Sequence, residues 1–137
     1  MIRNQYILLI VLLLCVSRLS AQFTLTVAMD DFANDKGVVS LVVLDENKVQ
    51  VDGTSAKIKD KKSSVTFKNL KAGKYAVQFF HDENLNQKVD KNRIGIPKEA
   101  VGFSNDAIGK FGPKKFEKRL ITVNRNTKIK IKARYML

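Results

Sequence analysis

The sequence predicts an all-β protein, a single antiparallel β-sandwich of about seven strands. Two observations lead to this. Apolar residues recur mostly at a period of two and not 3.6, and the alternating stretches are short and separated by turn residues. No stretch has the periodicity of an amphipathic helix of normal length. Two layers of short strands around one core are the packing solution for such a pattern.

The strands follow in order. Phe23, Leu25 and Val27 alternate with Thr24 and Thr26. Residues 37–44 (GVVSLVVL) are a continuous, β-branched run, as expected of a central strand. Residues 48–51 read as a short return strand, followed by a turn at Asp52-Gly53. Val65 and Phe67 alternate with Ser64, Thr66 and Lys68, and Tyr75, Val77 and Phe79 with Lys74, Ala76 and Gln78. Residues 120–123 form another strand. In the last one Ile129, Ile131, Ala133 and Tyr135 alternate with Lys128, Lys130, Lys132 and Arg134. The basic positions of that strand face water, and lysines on an edge strand also discourage sheet-to-sheet association.

A long ordered loop at about 81–117 interrupts this rhythm. It holds Gly95, Gly102, Gly109 and Gly112 and both prolines, Pro97 and Pro113. Ile94, Ile96, Val101, Phe103, Ile108, Phe111 and Phe116 make it too apolar for disorder, so it should pack down on the sandwich. Loops of this length in compact domains are usually functional, which makes it the place to look for a site.

Ahead of the strands, residues 1–21 read as a cleavable signal peptide. Arg3 precedes eleven unbroken apolar residues, 6–16, and small residues lead to a cut after Ala21. The run is shorter than the roughly 20 residues of a membrane span, and no transmembrane helix is expected in the mature chain. Cys15 offers a lipoprotein reading, but Leu14 stands where a small residue is needed, and the cysteine serves equally as one more apolar residue. The expected mature domain is 22–137, periplasmic or secreted and monomeric. It would hold no cysteine, which excludes disulfides, thiol catalysis and cysteine metal sites. Loss of Arg3 and Arg18 leaves 23 basic against 13 acidic residues, a net charge of +10. For an exported protein this points away from nucleic acid and toward an envelope or extracellular protein, or a glycan.

The sharpest local pattern is His81-Asp82-Glu83-Asn84-Leu85-Asn86-Gln87-Lys88-Val89-Asp90. Asp82, Asn84, Asn86, the Lys88 carbonyl and Asp90 occupy positions 1, 3, 5, 7 and 9 of a calcium-loop register. Gln87 stands where the sharp turn prefers glycine, and Arg93 where a bidentate acid belongs, for which Glu83 or Glu99 is the available substitute. An Asx-rich turn closed by its own side chains explains the same residues without calcium. His81, the only histidine, oriented by Asp82 or Asp90, is the basis for an alternative reading as a small hydrolase or isomerase, while a structural histidine bonding the loop backbone is the plainer reading of the same residue. Ser104 lacks the strand–turn–helix setting of a nucleophile, and one histidine does not make a zinc site. The ligand-loop candidates are His81, Glu99, Phe103, Ser104, Asn105 and Phe111; the phenylalanines either line a groove or anchor the loop to the core.

Taken in order, Phe67-x-x-Leu70-x-x-Gly73-x-Tyr75-Ala76-Val77, His81-Asp82-Glu83-Asn84, Asp90, Gly95-Ile96-Pro97-x-Glu99, Gly102-Phe103-Ser104-Asn105 and Phe111-Gly112-Pro113 resemble a bacterial family of exported proteins, domain of unknown function 2141. The resemblance covers nearly the whole mature chain. It implies a secreted or periplasmic domain of this length with no assigned activity. Gln87 departs from the glycine usual there, and Lys114-Lys115 from smaller or apolar residues. The 67–77 stretch is also distantly similar to transthyretin-like and carboxypeptidase-regulatory-like (Ig-like) sandwiches, with Gly73 expected to supply a positive φ at the turn. The expected function is therefore non-enzymatic, a binding or scaffolding role at the bacterial envelope or outside the cell, with calcium stabilising loop 82–90. A basic adhesin for anionic glycan or membrane surfaces is a further alternative.

Overall fold

Alternation at a period of two puts Leu25, Val27 and Met29 on one face of the first strand. All three are buried in the computed structural model, which describes residues 20–136. The signal-peptide expectation, including Cys15, lies outside the described residues except for Ser20 and Ala21. Among the described residues ten strands follow in chain order: β1 (Gln22–Asp30), β2 (Val38–Asp45), β3 (Gln50–Ala56), β4 (Ser63–Lys71), β5 (Gly73–Asp82), β6 (Val101–Phe103), β7 (Ile108–Gly109), β8 (Gly112–Pro113), β9 (Ile121–Val123) and β10 (Thr127–Lys132). Among the described residues no helix is long and apolar enough to cross a membrane.

The strands form two main layers. One sheet has the order β10-β1-β4. The second has the order β3-β2-β5-β6, with β9 pairing on β5 beside β6. β7 and β8 make a separate small hairpin. Seven of these strands are those expected from the sequence; β6, β7 and β8 lie within the long loop. Pairing is antiparallel except between β1 and β10, which run parallel. The chain leaves β9 on the second sheet, crosses to the first within residues 124–126 and enters β10 on the open edge of β1. A short crossing between layers thus fixes a direction that hairpin logic alone does not give.

Both sheets contribute to one core. Leu25, Val27, Phe67 and Ile131 come from the first sheet, and Val39, Leu41, Val43, Tyr75, Val77, Phe79 and Val123 from the second. Phe32 closes one end, with its ring against Phe79 and His81. The exposed edge of β10 is partly neutralised, since Lys130 lies 2.6 Å from Asp30 and Lys132 3.5 Å from Asp31.

Two turns differ from expectation. Asp52 and Gly53 lie inside β3, and the reversal is at 45–49 instead. There the Asp45 carboxylate accepts the N–H groups of Asn47 and Val49, so a side chain mimics the backbone turn. In the Leu70–Tyr75 turn Gly73 does not take a positive φ; the left-handed residue nearby is Asn69 (φ 62°), inside β4 where its register against β1 shifts. Asparagine tolerates that conformation. The turn is held by the Tyr75 hydroxyl, which donates to the Lys71 carbonyl at 2.7 Å. Burial, then the Asp45 charge, raise this phenol above its ordinary pKa and favour its donating form.

Gly102 governs how β6 meets β5. A methyl group at this position would come within 2.2 Å of the Phe79 ring, which is itself buried in the core. Substitution Gly102→Ala should therefore destabilise the domain by about 1–3 kcal/mol through overpacking. Chemical denaturation checks this, with a lower midpoint expected at unchanged slope.

Candidate functional site

Central strands of the second sheet carry apolar residues on both faces, with Ser40 and Gln78 as polar exceptions on the outward one. Their inward residues build the core, while their outward residues form two cross-strand rows. Ser40, Phe80 and Val101 make one row, and Val42, Gln78 and Phe103 the next. These six side chains are the floor of a groove of about 440 Å³, with Val89, Pro113 and Arg119 of the long segment also lining it. The lining is mainly apolar, with a few polar groups, and the size falls within the roughly 300–1,000 Å³ of small-molecule sites. A neighbouring hollow shares Val101, Phe103 and Pro113 and extends toward Ile94, Ile96 and Phe111. Phe111 is fully exposed, so it is a rim residue and not a core anchor.

The long segment is stapled from its root upward. Asp82 is buried, and its carboxylate accepts the N–H groups of Asn86 (3.1 Å) and Gln87 (2.8 Å). Asn84 and Asn86 each donate an amide hydrogen to Asp90, at 2.6 and 2.8 Å, and their own oxygens accept from Asn86 and Lys88 N–H. Glu99, also buried, joins the two ends of the loop by accepting from Glu83 and Asp90 N–H. The structure thus brings Asp82, Asn84, Asn86, Asp90 and Glu99 into one network of the Asx-turn kind. Gln87 takes a left-handed φ of 62°, supplying the sharp turn at the register position where glycine is usual. Among the described residues no group of three or more His, Cys, Asp or Glu side chains is placed to hold a metal ion. A cation here would rely on amide and carbonyl oxygens.

His81 is fully buried. Its Nε2 lies 2.6 Å from the Lys36 carbonyl and its ring meets Phe32 edge-on. Because a carbonyl can only accept, Nε2 carries the proton; Nδ1 has no hydrogen-bond partner and lies 3.7 Å from Glu83 Oε1. The histidine ties the β1–β2 connection to the end of β5. It does not line the groove.

Ser104 solves a backbone problem. β6 covers β5 at 78–80 and β9 covers it at 73–75, which leaves the buried N–H of Val77 between two partners. The Ser104 hydroxyl accepts that N–H at 3.0 Å and donates to the Arg119 carbonyl. Asn105, in a left-handed conformation, donates to the carbonyls of Lys118 and Leu120. Both residues expected to touch ligand are therefore wall fasteners. Of the candidate ligand residues, Phe103 and Phe111 face the hollows, while His81, Glu99, Ser104 and Asn105 hold the segment in place.

Residues 27–131 match the model of an uncharacterized protein family conserved in bacteria, DUF2141. The chain belongs to this family. No curated protein and no solved structure gives a significant match. The matched DUF2141 region runs from β1 to β10 and contains the groove floor, the Asp82 loop and Ser104.

Sequence reading named Phe103 but missed the rest of the groove floor and Arg119. The available signal was the run at 37–44, apolar at outward as well as inward positions, which requires a cover on both faces.

Ser104→Ala should cost about 1–3 kcal/mol, because it strands the Val77 N–H and the Arg119 carbonyl. Amide exchange at Val77 should accelerate well beyond the change in global stability. Equal acceleration across β5 would show that the hydroxyl has no such local role.

Proposed function

We propose that this DUF2141 domain is a non-catalytic, exported binding module of the bacterial envelope or cell exterior. Its working surface is the outward face of the second sheet, framed by residues 83–119. The groove of about 440 Å³ carries this reading, since apolar side chains on a sheet face are matched there by only a partial cover. Export is supported by the leader at 1–21 and by β1 beginning at Gln22, where the mature chain is expected to start. The sealed ring of His81 and the structural bonds of Ser104 give the hydrolase alternative little to work with.

An environment-sensitive dye such as N-phenyl-1-naphthylamine tests the groove directly. Protein expressed from its full chain should enhance and blue-shift the dye fluorescence. Val42→Lys, which places a long cation across the floor, should abolish the effect while thermal melting stays cooperative. Failure of the unsubstituted protein to take up dye would sink this reading.

Calcium stabilisation of loop 82–90 is the second part of the proposal. It is supported by the oxygen-bearing residues Asp82, Asn84, Asn86, Lys88 and Asp90 in one tight turn, and by the left-handed Gln87 at the turn position. Binding would require the Asn84 and Asn86 amides to rotate, so that oxygens replace the nitrogens now facing Asp90. Two neutral amides make the affinity modest, in the millimolar range of extracellular modules, about 10⁻⁴–10⁻³ M. Millimolar calcium should raise the melting temperature and magnesium should not, with the gain lost in Asp90→Asn. Identical melts in calcium and in chelator would remove calcium from the proposal.

A further inference from the structure

We propose that the groove selects amphiphiles with a single carboxylate, and that Arg119 is the group that reads the carboxylate. This rests on the groove being a binding site. Among the described residues Arg119 is the only charged one lining a hollow that is otherwise mainly apolar. Among the described residues no carboxylate lies within ion-pair distance of it. Its guanidinium is nonetheless held in place. The Cζ atom lies 5.1 Å from the Phe103 ring centre and 5.7 Å from that of Phe116. Nε donates to the Lys114 carbonyl at 3.0 Å, and Nη1 lies 3.5 Å from Gln78 Oε1. The Ser104 hydroxyl fixes the main chain of the same residue.

A half-buried cation held by aromatic faces and one firm backbone bond keeps donors on Nη1 and Nη2 for a ligand. The long 3.5 Å bond to Gln78 uses one Nη1 hydrogen and leaves the other and both on Nη2. Planar guanidinium donors match a carboxylate bidentately, and preorganisation lowers the ordering cost of binding. The charge count favours a monoanion. One cation lines the groove, and a phosphate dianion would bring a second charge with no lining partner. The rest of the ligand is mainly apolar, because Val42, Phe80, Val101 and Phe103 present no polar atoms to it, and of the two polar floor residues Ser40 is hydrogen-bonded to Ser55 and Gln78 lies beside Arg119.

Displacement of N-phenyl-1-naphthylamine by decanoate and by 1-decanol tests the proposal, because the two differ in the head group. Decanoate should compete about tenfold better with the unsubstituted protein, the worth of a charge-assisted pair. Arg119→Met should reduce this preference to near unity while still binding dye and decanol. Arg119→Lys, which keeps the charge but not the fork, should give an intermediate ratio and decides the matter if the methionine variant does not fold. Lys114→Met is the control for diffuse basic charge and should leave the ratio intact. Equal competition by acid and alcohol would overturn carboxylate selection and leave the groove reading standing. A preference that survives Arg119→Met, or that disappears in Lys114→Met, would overturn the role of Arg119. No dye uptake at all would remove both readings together.

Discussion

Two-sided burial of the strands β2 and β5 is the constraint from which most of this structure follows. Val39, Leu41, Val43, Val77 and Phe79 must be covered on one side, and the β10-β1-β4 sheet does so. Val42, Phe80 and the residues beside them need cover on the other side. A free-standing antiparallel sheet would carry polar residues there. The chain therefore spends some forty residues after β5 bringing an arm back across this second face. The cover is incomplete, and the groove is what remains of an apolar face not fully claimed by its own protein.

An arm of this length must satisfy its own backbone, and each fastening meets that need in a different way. Asp82 and Glu99 receive N–H groups at the root of the arm, where burial makes an unpaired donor costly. Gly102 lets β6 approach the Phe79 ring closely enough to pair. Ser104 fills the gap between β6 and β9. Asn105 takes the left-handed turn and collects two carbonyls from the far end of the arm. The fastenings end at 118–120, so the residue they position most firmly at the groove is Arg119.

Strand positions were legible in the sequence wherever one face is wet, because alternation then encodes burial directly. The last strand, with Lys128, Lys130 and Lys132 against Ile129 and Ile131, is such a case. Turns were less legible. The backbone reversal after β2 depends on the Asp45 side chain, and the turn after β4 on the Tyr75 hydroxyl, while the glycines nearby sit in ordinary conformations. The region of the site was legible as an apolar, glycine-punctuated loop, and Phe103 and Phe111 were named from it. Roles within it were not. Ser104, Asn105 and Glu99 look reactive as residue types, but their hydrogen-bond partners are backbone groups well separated in sequence. No local pattern in the chain reveals those partners. Arg119 was hidden for the opposite reason, as one basic residue among twenty-five.

That last point separates net charge from functional charge. Many of the basic side chains sit on exposed positions, where water and salt screen them and their identity matters little. Lys132 faces Asp31 across an open surface, in a pair that contributes little to stability, and the exposed Lys130 ammonium caps the half-buried Asp30. Arg119 differs in its surroundings, not in its charge. Aromatic rings on β6 and in the 116–119 turn limit its contact with water, and a low local dielectric strengthens whatever anion it meets. A basic composition by itself would favour any anionic surface weakly. One guanidinium held beside an apolar floor favours a particular kind of molecule, because the hydrophobic part and the charged part must fit at once.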